Sequence, residues 1–150
     1  MSNISCLFDT ISSGGFDRAM TTLYGEQNLP HQRERWCRLL EQYNELFADS
    51  DTPRLFSAPG RTEISGNHTD HQHGCVIAAA VDMTTTAEVT LNGTNVIRVD
   101  SEGYKPVEIG LNDLSVKESE KNTTAALIRG VAAAFAQRGY KLAGFDAKVK

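Results

Sequence analysis

The spacing of apolar residues is helical up to Phe47 and strand-like beyond Gly74, and that change limits the folds open to this chain. Before it, Phe16, Ala19, Met20 and Leu23 recur at three- and four-residue steps. After a break at "YGEQNLP", Trp36, Leu39, Leu40, Tyr43 and Leu46/Phe47 do the same. Such steps place side chains on one face of a helix. Two helices are expected, the second starting near His31 with Arg33, Glu34, Arg35, Arg38, Glu41 and Glu45 turned to water. "ADSDTPR" ends it with turn-forming residues.

Beyond the polar segment that ends at Gly74 the signal is that of strands. In "TTTAEVTLNGTNVIRVDS", Ala87, Val89 and Leu91 alternate with polar residues, and so do Ile97 and Val99 after Asn92-Gly93. Asn-Gly supplies the positive φ angles of a type I′ turn, so a hairpin is expected across it. "KPVEIGL" predicts a further strand through Val107, Ile109 and Leu111. "CVIAAAVDM" is a continuous apolar run, suited to a strand buried on both faces or a buried helical turn, with Cys75 buried and inert at its head. "NTTAALIRGVAAAFAQRG" reads as a helix, capped by Asn122 or Thr123 and closed by Gly139 at C′. Gly130 inside it costs about 1 kcal/mol against alanine, and close packing against a neighbour is the expected reason. "FDAKVK" alternates again, and its pattern still runs at the last residue, as in a domain that continues. Helices, then mostly antiparallel strands, then a helix and a strand define an α+β chain.

Composition narrows the partners. With 150 residues, 40% hydrophobic and 23% charged, the chain can build one ordinary core. Its net charge of −4 and the lack of any Lys/Arg block exclude a basic surface for nucleic acid or anionic membrane. Three cysteines, an odd number without metal-type spacing, suit reduced thiols. The N-terminus has neither a basic start nor a long apolar run, and no window approaches the ~18 apolar residues of a membrane span. A soluble, cytoplasmic protein is expected.

The chemistry is concentrated in "APGRTEISGNHTDHQHG", Ala58 to Gly74. A metal site from His68, Asp70, His71 and His73 is one reading, but the order is not that of the metallo-hydrolase clusters, and a second ligand set is missing. No Walker-type or dinucleotide-binding glycine pattern is present. A polyol site fits the residue types better. Asp70 can accept two hydroxyl protons, His68 can donate or accept, and Asn67 can do both. Arg61, beside a Pro-Gly turn, supplies a charge that could orient a carboxylate or meet a transferred phosphoryl group. Glu63 could simply pair with Arg61.

These residues resemble the galactokinase signature, Ala-Pro-Gly-Arg-x-Asn-hydrophobic-Ile-Gly-Glu-His-x-Asp-Tyr-x-x-Gly, without a gap at Pro59, Gly60, Arg61, Gly66, His68, Thr69, Asp70 and Gly74. The galactokinases are GHMP small-molecule kinases. The resemblance implies the α+β N-terminal domain of that fold (ribosomal protein S5 domain 2-like), helices packed on a mostly antiparallel sheet. It divides the chain into a helical segment, 1–53, and a signature plus β-rich core, 54–150. It implies Arg61 as a catalytic residue beside the reacting hydroxyl, His68 and Asp70 as sugar ligands, and Asn67 where the family has a glutamate. The segment around Ser101 resembles part of the nucleotide side. ATP, Mg²⁺ and a hexose are implied for the complete enzyme, with neither ATP nor Mg²⁺ held by this stretch alone, since the family's phosphate loop and catalytic aspartate would follow Lys150.

The departures are Glu63 for Asn, Ser65 for Ile, Asn67 for Glu and His71 for Tyr. Replacing a charged acceptor by an amide is worth on the order of 1.5–3 kcal/mol in one hydrogen bond, enough to change which hexose is preferred. A kinase-like sugar-binding regulator without catalysis is the alternative these departures raise.

Overall fold

The computed structural model of the chain describes residues 3–48, 51–66 and 73–150. Three helices come first: α1 (Asn3–Ser12), α2 (Asp17–Tyr24) and α3 (Leu29–Leu46). α1 was not expected from the sequence; its Ile4 and Ile11 are buried with Met20 and Tyr24 of α2 and with Trp36, Leu39, Leu40 and Tyr43 of α3. Full burial of a large apolar side chain contributes roughly 1.5–3 kcal/mol, so this cluster is what holds three short helices together. Leu23 and Leu46, expected on the inner faces, are exposed. Pro30 lies in the first turn of α3, where its missing N–H is not needed.

Four strands follow, β1 (Arg54–Ser65), β2 (Ile77–Leu91), β3 (Val96–Ser101) and β4 (Val107–Gly110), then α4 (Thr124–Gln137) and β5 (Phe145–Val149). They form one sheet of order β1-β2-β5-β3-β4. The architecture is the expected α+β one, and the sheet is mostly antiparallel, with β3 and β5 as its parallel pair. Thr123 caps α4 by accepting the Ala126 N–H, and Gly139 follows at a φ of 81°. No helix among the described residues is long and apolar enough to cross a membrane.

The hairpin expected at Asn92-Gly93 does not form. β5 lies between β2 and β3, antiparallel to one and parallel to the other. Two causes are visible. The 92–95 turn wraps around Gly144, whose N–H donates to the Thr94 carbonyl while Asn92 N–H donates to the Gly144 carbonyl. A β-carbon at Gly144 would sit 2.4 Å from the Thr94 carbonyl oxygen, so only glycine lets β5 enter there. Charges then match in register: Arg98 pairs with Asp146, Asp100 with Lys148, and Glu102 with Lys150.

This sheet has two different faces. Ile97 and Phe145 lie with Val99, Ile109 and Ala132 under α4. The opposite face carries Thr86, Glu88 and Thr90 of β2 beside Asp146 and Lys148 of β5, and α3 lies against both strands. Leu55 of β1, opposite Glu88, joins the α-helical core. Glu88 is fully buried and its carboxyl has no hydrogen-bond partner; burial pushes its pKa up to about 8.

Candidate functional site

β1 and β2 run on together well past the end of β5, which covers β2 only over Ala87–Leu91, with Thr86 still bonded to Lys150. The overhang pairs Gly60–Ser65 with Ile77–Val81 and carries the dense motif. Most of it is exposed, including Ile64, Val76, Ile77 and Met83. "CVIAAAVDM" is therefore strand from Ile77 onward, but neither doubly buried nor helical, and Cys75 is exposed rather than buried. Periodicity reports that a run is apolar; only the sheet's outline decides whether a layer reaches it.

Two irregularities shape the overhang. At the first, Pro59 opposes Thr84 but Gly60 opposes Val81, so Asp82 and Met83 form a bulge on β2. Bulges bend a strand and re-aim the side chains beyond them, and Arg61 is the next residue, opposite Ala80. At the second, Glu63 opposes Ala78 and Ser65 opposes Ile77, leaving Ile64 as the extra residue. The chain leaves β1 at Gly66, whose φ is 96°. A β-carbon there would lie 2.4 Å from the Cys75 carbonyl oxygen, so the backbone entering the 67–72 segment touches the backbone leaving it. Glycine is required by conformation and by space.

Of the predicted site residues, Arg61 is exposed on β1. Glu63 shares its regular stretch of strand, yet no ion pair joins the two among the described residues. The expected structural pair is thus replaced by a guanidinium turned to solvent. Asn67, His68 and Asp70 lie outside the described residues, as does His71. Ser101 ends β3 opposite Val149, at the end of the sheet from which the ribbon extends. The described residues contain no group of three His, Cys, Asp or Glu side chains able to hold a metal ion.

Other contacts at the site were not legible from the sequence. Arg35, expected to be solvated, donates from Nη1 to Thr84 Oγ1 at 2.8 Å and from Nη2 to the Thr84 carbonyl at 2.7 Å. Arg33 pairs with Asp17 instead of facing water. Tyr24 donates its hydroxyl proton to Ser57 Oγ at 2.7 Å. Arg35 read as a solvated helix residue and Tyr24 as part of the break between helices, because their partners are far along the chain.

Residues 41–91 match the family model described as the galactokinase galactose-binding signature. The galactokinase of Bacillus subtilis (strain 168) is 32% identical over 108 residues, covering 69% of this chain and 27% of that protein. The galactokinase of Lactococcus lactis, solved in complex with galactose, superposes with a TM-score of 0.65 at 26% identity, over 73% of this chain and 29% of that one. The mevalonate kinase of Methanococcus jannaschii shares the fold, with a TM-score of 0.51 at 15% identity over 66% of this chain and 32% of that one. Helices on a mixed five-stranded sheet are the fold this chain shares with these GHMP small-molecule kinases, and in this chain the galactose-binding signature extends onto the overhanging ribbon. Within that class the chain is a relative of the galactokinases, corresponding to part of their N-terminal region and carrying their galactose-binding signature. It spans less than a third of the length of these relatives.

Proposed function

We propose that this chain is the sugar-binding part of an enzyme that transfers the γ-phosphoryl group of ATP to the anomeric hydroxyl of galactose or a related hexose. The observation that carries the reading is the galactose-binding signature lying across a bulged ribbon with Arg61 exposed upon it. Asn67, His68 and Asp70 supply the hydroxyl contacts. Asp70, ionised, accepts from two neighbouring hydroxyls, which an epimer with one hydroxyl inverted cannot satisfy equally. Arg61 places a fixed positive charge beside the reacting hydroxyl, where charge develops during transfer. Ser101, at the same end of the sheet, belongs to the nucleotide side. The divisions 1–53 and 54–150 act as support and as site, in a soluble, cytoplasmic protein.

Phosphoryl transfer is mostly positioning and neutralisation of phosphate charge by backbone N–H groups, Mg²⁺ and cations. ATP and Mg²⁺ are the cofactors of the complete enzyme on this reading. This chain's own contribution is to recognise and orient the sugar and to place the Arg61 charge beside its reacting hydroxyl. Calorimetric titration of the chain with D-galactose and D-glucose tests it. Binding of galactose, stronger than that of glucose and abolished by Asp70→Ala, is expected. Equal heats from both sugars, or an Asp70→Ala variant that binds as well as the parent, would refute the assignment.

A further inference from the structure

The signature strand pair is gripped from the helical layer at two points, and the second lies at the bulge that precedes Arg61. Tyr24, almost fully buried in the helical core, holds Ser57 of β1. Arg35 holds Thr84 of β2, the last residue paired before the bulge, opposite Pro59.

The geometry at Thr84 explains what Arg35 does. Peptide groups two apart along a strand face the same edge. Thr86 faces β5, exchanging both backbone hydrogen bonds with Lys150. Thr84 is the next residue on that edge, and its carbonyl lies beyond the Val149 end of β5. Arg35 supplies the donors there, one to the carbonyl and one to the hydroxyl, so a guanidinium takes the place of a neighbouring strand. Its planar fork bonds both oxygens at once, which a lysine ammonium does with less directional control. Without it, β2 is unsupported on that edge where Asp82 and Met83 depart from the ladder.

We infer that Arg35 is a positioning residue for the sugar site: it fixes β2 at the bulge and thereby the direction in which Arg61 is presented. This rests on the proposed galactose reading and deepens it.

The test compares Arg35→Met, Arg35→Lys and Arg38→Met, the last an exposed arginine on the same helix. Amide exchange over 58–66 and 78–85 and galactose affinity are measured for each, with thermal midpoints as the control for global stability. In Arg35→Met, exchange in both segments rises, and galactose binds roughly tenfold more weakly. Arg35→Lys recovers part of both effects, and Arg38→Met matches the parent. Thr84→Val, which removes only the hydroxyl acceptor, gives a smaller change in the same direction and stands in if Arg35→Met does not fold. Parental protection in Arg35→Met overturns the proposal. So does faster exchange with unchanged affinity, because the contact is then structural only. If the parent chain binds no galactose, it is the galactose reading that fails, and the exchange data alone then decide whether Arg35 holds the ribbon.

Discussion

Arg98 and Asp146 face each other across the parallel strands β3 and β5, with the guanidinium Nε 2.9 Å from the carboxylate. Asp146 is nearly fully buried, while Arg98 keeps a partly open side. The same carboxylate oxygen accepts from Asn92 Nδ2 at 2.7 Å, so one acid ties the 92–95 turn to both strands. Asp146→Ala removes the shared acceptor and leaves Arg98 without its partner. A loss of about 1.5–3 kcal/mol is expected from the hydrogen bonds to this charged acceptor, read as a lower urea midpoint with unchanged slope.

Glu88 gives the chain a pH dependence of defined sign. Its folded pKa, raised to about 8 from 4.5, means that the native state holds its proton more tightly than the unfolded chain. Ionisation of the group adds no cost below the unfolded value. Its penalty grows as pH rises from about 4.5 to about 8 and is constant above that. At pH 7 it is on the order of 3 kcal/mol. Glu88→Gln should be more stable than the parent at neutral pH and lose this slope, while the two converge near pH 4. Urea titrations at several pH values between those limits decide it.

Gly130 contradicts the close packing expected of it. It is exposed, and a β-carbon there would meet nothing within 4 Å. Gly130→Ala should therefore raise helix stability by about 1 kcal/mol, shifting the thermal midpoint of the 150-residue chain upward by roughly 2–4 °C.

Gly66 is the opposite case. With φ at 96° and the Cys75 carbonyl 2.4 Å from any β-carbon, Gly66→Ala must move one backbone segment away from the other. A cost of about 1–3 kcal/mol is expected from the strained conformation alone. On the proposed function, galactose binding should fall by more than global stability does, because the segment bearing His68 and Asp70 starts there. Chemical denaturation and sugar titration of the same preparation separate the two effects.

Much of this protein was legible in its residue order. The spacing of Trp36, Leu39, Leu40 and Tyr43 is a local property of one helix, and so are the Thr123 cap and the closing Gly139. The strand content of 84–111 followed from alternation, and the signature between Arg61 and Gly74 from its resemblance to that of the galactokinases, which the family match over 41–91 bears out. α1 was missed although Ile4, Leu7, Phe8 and Ile11 stand at helical spacing and pack in one cluster; two turns of pattern at the chain start are too short a stretch to mark a helix until α3 supplies the surface it packs on.

What residue order alone determined is most of the local elements, α1 and β1 excepted, and the galactose-binding signature in the 58–74 segment, because helix period, strand alternation and turn residues act over a few positions. Tertiary structure decided the rest: that β5 enters between β2 and β3, that Arg35 serves β2 instead of water, that Cys75 and Gly130 lie in the open, and that Glu88 is sealed under α3. Each of those outcomes depends on which distant segment arrives beside a residue. Burial and pairing are properties of neighbours in space, and no local pattern encodes them.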